Sequence, residues 1–359
     1  MKTNLLHSDF RLNGKAFDTV KVFKRFIDSN YPELVHFIEE WFGVEGIIHI
    51  KTSGSTGTPK RIGLKRSHMI NSAKATASYF NLPSESRALL CLPLGYIAGR
   101  MMLVRAMVMG WHLEIINPDS RPEISSQNYY DFAAMVPLQL HNSLDTIQNV
   151  KTLIVGGGIV SNSLLSKIEA LPSRIFATYG MTETITHVAV CPLNLSAGYK
   201  GSGMLYEALP QVEFSVDSRG CLLINARQVA DETIVTNDVV NLHSQTSFKW
   251  LARYDHVINS GGLKFFPEQI EKKLEALVED AFFIAGLSDD VLGERIVMFV
   301  EGQQNHGLLD SLKAYQKKYP EKLSKNEIPR DIYFLKSFQR TETDKILRDT
   351  TLKLYLSSI

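Results

Sequence analysis

Short apolar runs alternate with helix-like patterns over the first half of the chain. Each run has the length of a strand, and several are too continuously apolar to face water: IIHI (47–50), ALLCLP (88–93), HLEIIN (112–117), FAAMVP (132–137), TLIVGG (152–157) and RIFATYG (174–180). Between the runs, apolar residues recur at helical spacing after two candidate helix caps, Ser67 and Ser161. Buried strands that alternate with helices predict a largely parallel sheet.

The pattern changes to a two-residue period after about residue 209. VEFSVDSRGCLLINA and DETIVTNDVVNL alternate polar and apolar positions, with a turn at Arg219-Gly220, which predicts an antiparallel β region. A helix with one apolar face begins at Pro267 and is followed by further short segments of both kinds. The sequence therefore predicts an α/β fold. It has a large N-terminal domain (1–254) with mostly parallel sheets plus the antiparallel β region, and a small, mobile α+β C-terminal domain (255–359).

Composition and charge exclude several classes of function. The 359 residues carry a formal net charge of +1 at pH 7, which provides no electrostatic footprint for nucleic acid. No segment approaches the roughly 20 apolar residues that span a bilayer, and the N-terminus lacks a signal-peptide pattern. The cysteines are odd in number and far apart, which favours a reducing compartment and argues against structural zinc. We expect a cytoplasmic protein without a nucleic-acid partner or membrane insertion, and the oligomeric state stays open.

The stretch KTSGSTGTPK (51–60) has two interpretations when taken alone. It is either a flexible solvent loop or a cradle in which backbone N–H groups, hydroxyls and a lysine converge on an anion. The common P-loop is excluded, because Pro59 and Arg61 stand where glycine and Ser or Thr are required. IVGGGIVS (154–161) is not a dinucleotide fingerprint either, since Ser161 replaces its third glycine and no acidic residue follows at the right interval.

The full pattern TSGSTGTPK resembles the phosphate loop of the adenylate-forming superfamily, which includes acyl-CoA synthetases, luciferases and adenylation domains. The resemblance implies that this loop holds the β- and γ-phosphates of ATP through Thr52, Ser53, Gly54, Ser55, Thr56, Gly57 and Lys60. YGMTET (179–184) resembles the second core motif of the same family. By this resemblance Tyr179 lies against adenine, Thr182 meets the α-phosphate, and Glu183 holds Mg²⁺ together with Thr52. Taken alone, the hexapeptide has a second interpretation, a helix start with Thr182 as its cap and Glu183 in the first turn.

Further matches follow in family order as far as residue 348. IVGGGIVS resembles the glycine-rich turn beside adenine, and with the start of the next motif it adds these residues to the ATP site: Gly157, Gly158, Thr178 and Gly180. IVTNDVV (234–240) is similar to the segment whose aspartate, here Asp238, binds the ribose, although Asn237 stands where glycine is usual.

The segment WLARYDHVINSGGLKFFPEQIE (250–271) resembles the family signature that spans the hinge. The resemblance implies that Arg253 binds the ribose and that Asp255 is the hinge residue. It also implies that a turn faces the CoA path, and this turn consists of Ser260, Gly261 and Gly262. His256 departs from a common aspartate.

RTETDKILR (340–348) resembles the last core motif, whose lysine bridges the substrate carboxylate and the α-phosphate. Lys345 fits that catalytic role, but Asp344 replaces the usual glycine, and a carboxylate there can compete with the substrate for the ammonium. Without the other motifs, the segment would be interpreted as a solvated helix start.

LPLGYIAGRMMLVRAMVMG (92–110) resembles the acyl pocket of short o-succinylbenzoate–CoA ligases of menaquinone biosynthesis, although Gly95-Tyr96 replaces a more usual aromatic–histidine pair. The resemblance implies ATP, Mg²⁺ and coenzyme A, an aromatic dicarboxylate substrate, and an acyl site at Tyr96, Gly99 and Arg100. We expect Arg100 to receive the second carboxylate, because an unpaired charge in an apolar pocket is costly. The alternative is that Arg100 lies on a helix surface.

Three other functions stay open at this point. They are a different acyl- or aryl-CoA ligase, a standalone adenylation enzyme that delivers to a carrier protein, and a non-catalytic acyl- or nucleotide-binding relative. The last is motivated by Asp344 and Asn237 in the places of glycines.

Overall fold

The computed structural model describes residues 5–51, 61–194, 204–341 and 346–357. Contacts divide the chain into two compact units. The first unit comprises residues 1–215, 223–234 and 242–249, and the second comprises 216–222, 235–241 and 250–359. The functional boundary predicted at 254/255 stays a prediction.

The helices of the described ranges are α1 (Val20–Asn30), α2 (Val35–Phe42), α3 (Arg66–Phe80), α4 (Ile97–Met109), α5 (Pro137–Asn142), α6 (Asn162–Ile168), α7 (Pro267–Leu274), α8 (Leu308–Lys318) and α9 (Arg348–Leu356). The strands of the same ranges are β1 (Arg11–Leu12), β2 (Lys15–Ala16), β3 (Ile47–Lys51), β4 (Arg61–Lys65), β5 (Arg87–Leu90), β6 (His112–Ile115), β7 (Tyr130–Met135), β8 (Val150–Val155), β9 (Arg174–Gly180), β10 (His187–Pro192), β11 (Leu205–Ala208), β12 (Glu213–Val216), β13 (Cys221–Asn225), β14 (Ile234–Ser244), β15 (Ser247–Arg253), β16 (Ile258–Ser260), β17 (Leu263–Phe265), β18 (Phe282–Asp289), β19 (Gly293–Glu301) and β20 (Asp331–Leu335).

A large sheet forms the centre of the first unit. Its strands run in the order β11-β10-β9-β8-β7-β5-β6-β1-β2, and all pairs from β9 to β1 are parallel. Helices cover both faces, as β7 illustrates. Ala133 and Met135 pack in a core cluster with Ile168 of α6, whereas Phe132 meets Phe80 of α3 with ring centroids 5.7 Å apart. The predicted parallel sheet of buried strands is therefore confirmed.

One of the six predicted strands does not belong to this sheet. The IIHI segment forms β3, which pairs antiparallel with β4 in a separate two-stranded sheet, from Ile47↔Lys65 to Lys51↔Arg61. The segment 52–60 therefore connects two paired strands, and a strand rather than a helix follows it. The prediction that IIHI belongs to the parallel sheet was wrong, because a four-residue run does not reveal which strand is its partner.

The two candidate caps have different outcomes. Ser161 caps α6, with its hydroxyl accepting a hydrogen bond from the Leu164 N–H at 3.1 Å. Ser67 lies inside α3, whose N-cap is Lys65 without a side-chain bond, so that cap prediction was wrong. The adjacent strand β4 runs directly into the helix and leaves no residue free to act as a cap.

The antiparallel region was predicted correctly. The sheet order includes β12, β13, β14 and β15 as consecutive neighbours. Residues 217–220 connect β12 to β13 and residues 245–246 connect β14 to β15, and both connections are too short for a parallel crossover.

The second unit has its own sheet, with strand order β17-β16-β19-β18 and with β20 parallel to β19. Helices α7 and α8 contribute Ile270 and Leu312 to a core on one face. Leu352 of α9 packs with Phe299 on the other face, so this unit is an α+β sandwich as predicted. None of the helices in the described ranges is long and apolar enough to cross a bilayer.

Candidate active site

Four segments follow the carboxyl ends of neighbouring parallel strands in the first unit, and three of them were predicted as parts of the site. Residues 91–100 follow β5, Val136 follows β7, Gly156 follows β8, and β9 ends at Gly180. Because β5, β7, β8 and β9 are parallel, all four segments lie at one edge of the sheet. In open α/β sheets this edge is where ligands bind.

The glycine-rich turn begins directly where β8 ends. The Gly156 N–H donates to the Met135 carbonyl at 3.1 Å, and the Thr178 hydroxyl donates to the Val155 carbonyl at 3.1 Å. These bonds fix the base of the turn between β7 and β9. Gly157 and Gly158 are exposed beyond that base, so their backbone is open to a ligand at the sheet edge.

The YGMTET segment contains the tight connection between the paired strands β9 and β10. A Cβ atom at Gly180 would lie 2.1 Å from the Thr186 carbonyl oxygen, so only glycine fits where the chain returns. Residues 182–184 form a 3₁₀ turn whose N-cap is Met181, so the alternative with Thr182 as a cap is wrong. Glu183 is exposed on this turn.

Backbone strain follows immediately after Glu183. Ile185 has φ 67° and ψ −62°, which is the rare form of the γ-turn and an outlier for a β-branched residue. The Thr186 N–H donates to the Thr184 carbonyl at 2.8 Å and closes the turn. Strained residues of this kind cluster at functional sites, where the surrounding structure holds them.

Tyr179 belongs to an aromatic group within the first unit. Its ring centroid lies 5.0 Å from that of Phe248 in an edge-on arrangement and 5.9 Å from that of Tyr206. Phe248 and Tyr206 stack on each other at 5.5 Å. This packing fixes the ring plane of the half-buried Tyr179, as a residue that stacks on a planar base requires.

The predicted acyl residues lie at the start of α4. Tyr96 is the half-buried N-cap, and Gly99 is buried where a Cβ atom would lie 2.3 Å from the Pro93 carbonyl oxygen. Gly99 is therefore required for close backbone packing, whatever it does for a substrate.

Arg100 does not lie on an exposed helix surface. Its guanidinium donates to the carbonyls of Leu94 at 3.0 Å and His49 at 3.5 Å, and lies over the Phe37 ring at 5.3 Å. Burial lowers the pKa of Arg100, and the charge of Glu40 partly opposes that shift.

The sequence analysis missed a second arginine one and a half turns further along α4. Arg105 is 2 % exposed, and its donors reach Thr76 Oγ1 at 3.2 Å, Thr186 Oγ1 at 3.0 Å and Met102 Sδ at 3.5 Å. Within the described part of the chain it has no ion pair, and burial lowers its pKa to about 9. The available signal was an arginine inside the otherwise apolar run MMLVRAMVM. A buried cation without an acid is a functional-site candidate.

The predicted ribose residues lie together in the second unit. Asp238 is 7 % exposed and accepts from Trp250 Nε1 at 3.1 Å, while Arg253 Nη1 lies 3.8 Å from its carboxylate. Arg253 also donates to Asp255 at 2.7 Å. One arginine therefore links the predicted ribose aspartate to the predicted hinge aspartate.

Asn237, which stands in the place of a glycine, takes part in the same network. Its amide nitrogen donates to Asp255 Oδ1 at 3.0 Å, and its amide oxygen accepts from Arg219 at 3.0 Å. Asp217 completes the arrangement by pairing with Arg219 at 2.8 Å. A glycine at position 237 would leave Arg219 and Asp255 unconnected.

The predicted CoA-facing turn is the hairpin between β16 and β17. Ser260 pairs with Leu263, and Gly261 and Gly262 between them both have positive φ, as a two-residue hairpin turn requires. The hairpin is held from outside by a bond from the Gly261 N–H to the Leu292 carbonyl at 2.9 Å.

Comparison with known proteins decides the family. Residues 47–219 match the family model of the AMP-binding enzymes. The chain is 37% identical to an AMP-forming acyl-CoA synthetase/AMP-acid ligase II-like protein from Dyadobacter fermentans DSM 18053, over 90% of this chain and 95% of that one, with a TM-score of 0.58. The chain belongs to the AMP-binding, adenylate-forming enzyme family.

Two further relatives of this AMP-binding enzyme have more specific names. The present chain is 25% identical to the 2-succinylbenzoate–CoA ligase of Enterococcus faecalis over 329 residues, which cover 83% of this chain and 67% of the relative. The o-succinylbenzoate coenzyme A synthetase from Bacillus subtilis, solved in complex with ATP and magnesium, is 21% identical over 85% of this chain and 69% of that one, with a TM-score of 0.72. The second likeness confirms the predicted fold class.

The predicted site residues of the AMP-binding enzyme are distributed over both units. The first unit carries the glycine-rich turn, YGMTET and the acyl residues, and the second carries Asp238, Arg253, Asp255 and the CoA-facing turn. Two predictions fall outside the described residues, namely the phosphate-loop residues Thr52 to Lys60 and the catalytic Lys345.

Proposed function

We propose that this family member is an ATP-dependent acid–CoA ligase that acts on o-succinylbenzoate. The observation that carries the proposal is the common sheet edge at the ends of β5, β7, β8 and β9, because it gathers three segments, after β5, β8 and β9, that each resemble a family motif. The names of the Enterococcus and Bacillus relatives support the choice of acid.

In the first step the substrate carboxylate attacks the α-phosphate of ATP, and pyrophosphate leaves. Catalysis of such a step is mostly positioning and charge stabilisation. The phosphate loop binds the β- and γ-phosphates, Thr182 contacts the α-phosphate, and Lys345 bridges that phosphate and the attacking carboxylate. Tyr179 and the glycine-rich turn bind adenine, and Asp238 with Arg253 binds the ribose.

Glu183 fits the magnesium role by its chemistry. Mg²⁺ is commonly bound by one or two carboxylates together with substrate phosphates, so a single exposed carboxylate at the sheet edge is a suitable donor. The ion would supply charge neutralisation of the phosphates when bound. Thr52 is the second proposed ligand.

In the second step the C-terminal domain rotates about Asp255. Lys345 leaves the site, and the turn at Ser260, Gly261 and Gly262 approaches it. The CoA thiol then attacks the acyl carbonyl of the acyl-adenylate, a thioester forms, and AMP leaves. The proton of the thiol is lost in the same exchange.

The second carboxylate of o-succinylbenzoate requires a cation, and α4 offers two. Arg100 is the first candidate, but two of its nitrogens already face backbone carbonyls. Arg105 is the second candidate, because it is fully buried among hydroxyls and has no ion pair among the described residues. Its neighbour Thr186 contacts Ser72 at 3.2 Å, and Ser72 lines a cavity of about 20 Å³ that has room for one water molecule.

The function is tested by mass spectrometry of the products formed from ATP, Mg²⁺, CoA and o-succinylbenzoate. The expected products are the acyl-CoA thioester, AMP and pyrophosphate. A panel of other acids distinguishes another acyl- or aryl-CoA ligase, and acyl-adenylate that accumulates with free CoA present indicates delivery to a carrier protein. ATP binding without any pyrophosphate release would refute the proposal and favour a non-catalytic relative.

The receiving cation is tested with Arg100→Met and Arg105→Met, using o-succinylbenzoate and a monocarboxylate of the benzoate type. The variant of the receiving arginine should lose activity towards the dicarboxylate alone. Equal losses towards both acids remove that arginine from the role.

A further inference from the structure

A buried ionic cluster lies at the start of α9 in the second unit. Arg348 pairs with Glu271 at 2.6 Å and approaches Glu268 at 3.4 Å. Both carboxylates belong to α7, three residues apart on one face, and their side chains are 14% and 4% exposed. The bond to Glu271 is charge-assisted and largely shielded from water, and bonds of this kind are strong and directional, so it fixes the first residue of α9 against α7. Glu268 adds the attraction of a second negative charge.

The same cluster includes the residue that follows the predicted hinge. His256 Nδ1 lies 2.6 Å from Glu268 Oε1, so Glu268 links His256 to Arg348. Burial alone would raise the pKa of Glu268, but the contacts with His256 and Arg348 outweigh it and lower the pKa. Glu268 is therefore held in its charged form between its two partners.

A second arginine fixes the chain on the other side of Lys345. Arg340 forms an antiparallel bridge with Ile346, and the Leu347 N–H donates to the Gln339 carbonyl at 2.7 Å. Arg340 also forms an ion pair with Glu301 at the end of β19. Both flanks of Lys345 are thus tied to carboxylates on regular elements, Arg340 to a strand and Arg348 to a helix.

We propose that Arg348 is a positioning residue for Lys345, acting through its ion pairs with Glu271 and Glu268. The inference rests on the proposed function, in which Lys345 serves the adenylation step alone. A lysine three residues from a fixed anchor depends on that anchor for the place from which its side chain extends. A displacement of about 1 Å at a reacting group can cost about 100-fold in rate.

The test separates the two half-reactions in the full-length protein. Adenylation is followed as pyrophosphate release from ATP and acid, and thioester formation starts from synthetic acyl-AMP and CoA. Arg348→Met should lower the kcat of adenylation by about 10- to 100-fold and leave the KM for ATP within about twofold. The rate from acyl-AMP should stay within about twofold, because Lys345 leaves the site for that step.

Lys273→Met is the matched control. Lys273 lies on the same helix α7 and forms an ion pair of similar length, 2.6 Å, with Glu327. Among the described residues, no hydrogen bond or ion pair joins it to 340–341 or 346–348. Its substitution should change neither half-reaction by more than about twofold. A control variant that reproduces the Arg348→Met pattern would overturn the inference, since any lost ion pair on α7 would then suffice.

Arg348→Lys covers the case in which Arg348→Met does not fold. It keeps a cation beside both carboxylates but loses the two-pronged geometry, so adenylation should fall less than in Arg348→Met while the second half-reaction is preserved. The inference is overturned if both half-reactions fall alike or if neither falls. If the wild-type protein releases no pyrophosphate with any acid, the proposed function fails, and this inference fails with it.

Discussion

Replacement of Arg105 by methionine should separate stability from activity. Burial lowers the pKa of Arg105 from 12.5 to about 9. At 1.36 kcal/mol per pKa unit, the charged form loses of the order of 5 kcal/mol of solvation in the folded state. Against this cost, the guanidinium forms hydrogen bonds with two hydroxyls, Thr76 at 3.2 Å and Thr186 at 3.0 Å. Bonds from a charged group contribute about 1.5–3 kcal/mol each, so the bonds and the cost nearly cancel.

Methionine has a similar length and carries no charge to solvate. The two hydroxyls keep partners after the substitution, because Thr76 still donates to the Ser72 carbonyl at 3.0 Å and Thr186 still contacts the Ser72 hydroxyl at 3.2 Å. Replacement of a buried ion pair by apolar groups of similar volume is often neutral or stabilising by about 1–4 kcal/mol, and Arg105 has no ion pair among the described residues to lose. We therefore expect the free energy of unfolding of Arg105→Met to stay unchanged or to rise.

Urea unfolding of the wild type and of Arg105→Met measures the stability, and steady-state kinetics with o-succinylbenzoate measures the function. If Arg105 receives the second carboxylate, kcat/KM should fall by at least about 30-fold, since truncating one partner of a buried charge pair costs about 2–5 kcal/mol. A benzoate-type monocarboxylate should show no comparable loss. The reasoning is refuted if the variant is destabilised by more than about 2 kcal/mol, because the guanidinium would then be a structural group.

Three further outcomes are expected, two from the geometry and one from the proposed role of Lys345. Gly99→Ala should lower the free energy of unfolding by about 1–3 kcal/mol, because the new Cβ would lie 2.3 Å from a backbone oxygen. The control is Gly95→Ala, whose new Cβ would have nothing within 4 Å. It should change the free energy of unfolding by less than about 0.5 kcal/mol. Burial and the charge of Arg105 lower the pKa of His187 well below 6.5. Just below pH 6.5 this histidine therefore binds a proton in the unfolded state but not in the folded state. As the pH is lowered through this range, the free energy of unfolding should fall by up to about 1.4 kcal/mol per pH unit. Unfolding curves from pH 7.5 to 5.5 should show this slope weakened in His187→Gln, and equal slopes would contradict it. Lys345→Ala should abolish pyrophosphate release but spare thioester formation from synthetic acyl-AMP, and equal losses in both assays would exclude the two-step assignment.

The strands of the central sheet could be predicted because a strand that is buried on both faces has a continuous run of apolar residues in the sequence. The pairing of β3 with β4 could not be predicted in the same way. Ile48 and Ile50 are as fully buried as residues of the central strands, yet they face a different partner. Apolar content measures burial and carries no information on which strand is adjacent.

Candidate site residues could be predicted from the sequence where they belong to short motifs. Residues that become candidates only through their contacts in the folded chain were missed. The family motifs pointed to Tyr179 and Glu183 from adjacent letters alone. Arg105 lies inside the acyl-pocket segment 92–110, but the resemblance assigned it no role. It is a candidate because its guanidinium contacts two hydroxyls and one sulfur, on residues up to 81 positions away in the chain. A single arginine in an apolar helix is a cue that the sequence does contain, but only the surrounding contacts distinguish it from Arg100.

The contacts of Asn237 and His256 show how two departures from the family pattern are accommodated in the structure. Asn237 bridges Arg219 and Asp255, and His256 pairs with Glu268, so both replacements are accommodated by partners elsewhere in the second unit. These two departures are therefore compatible with the proposed function.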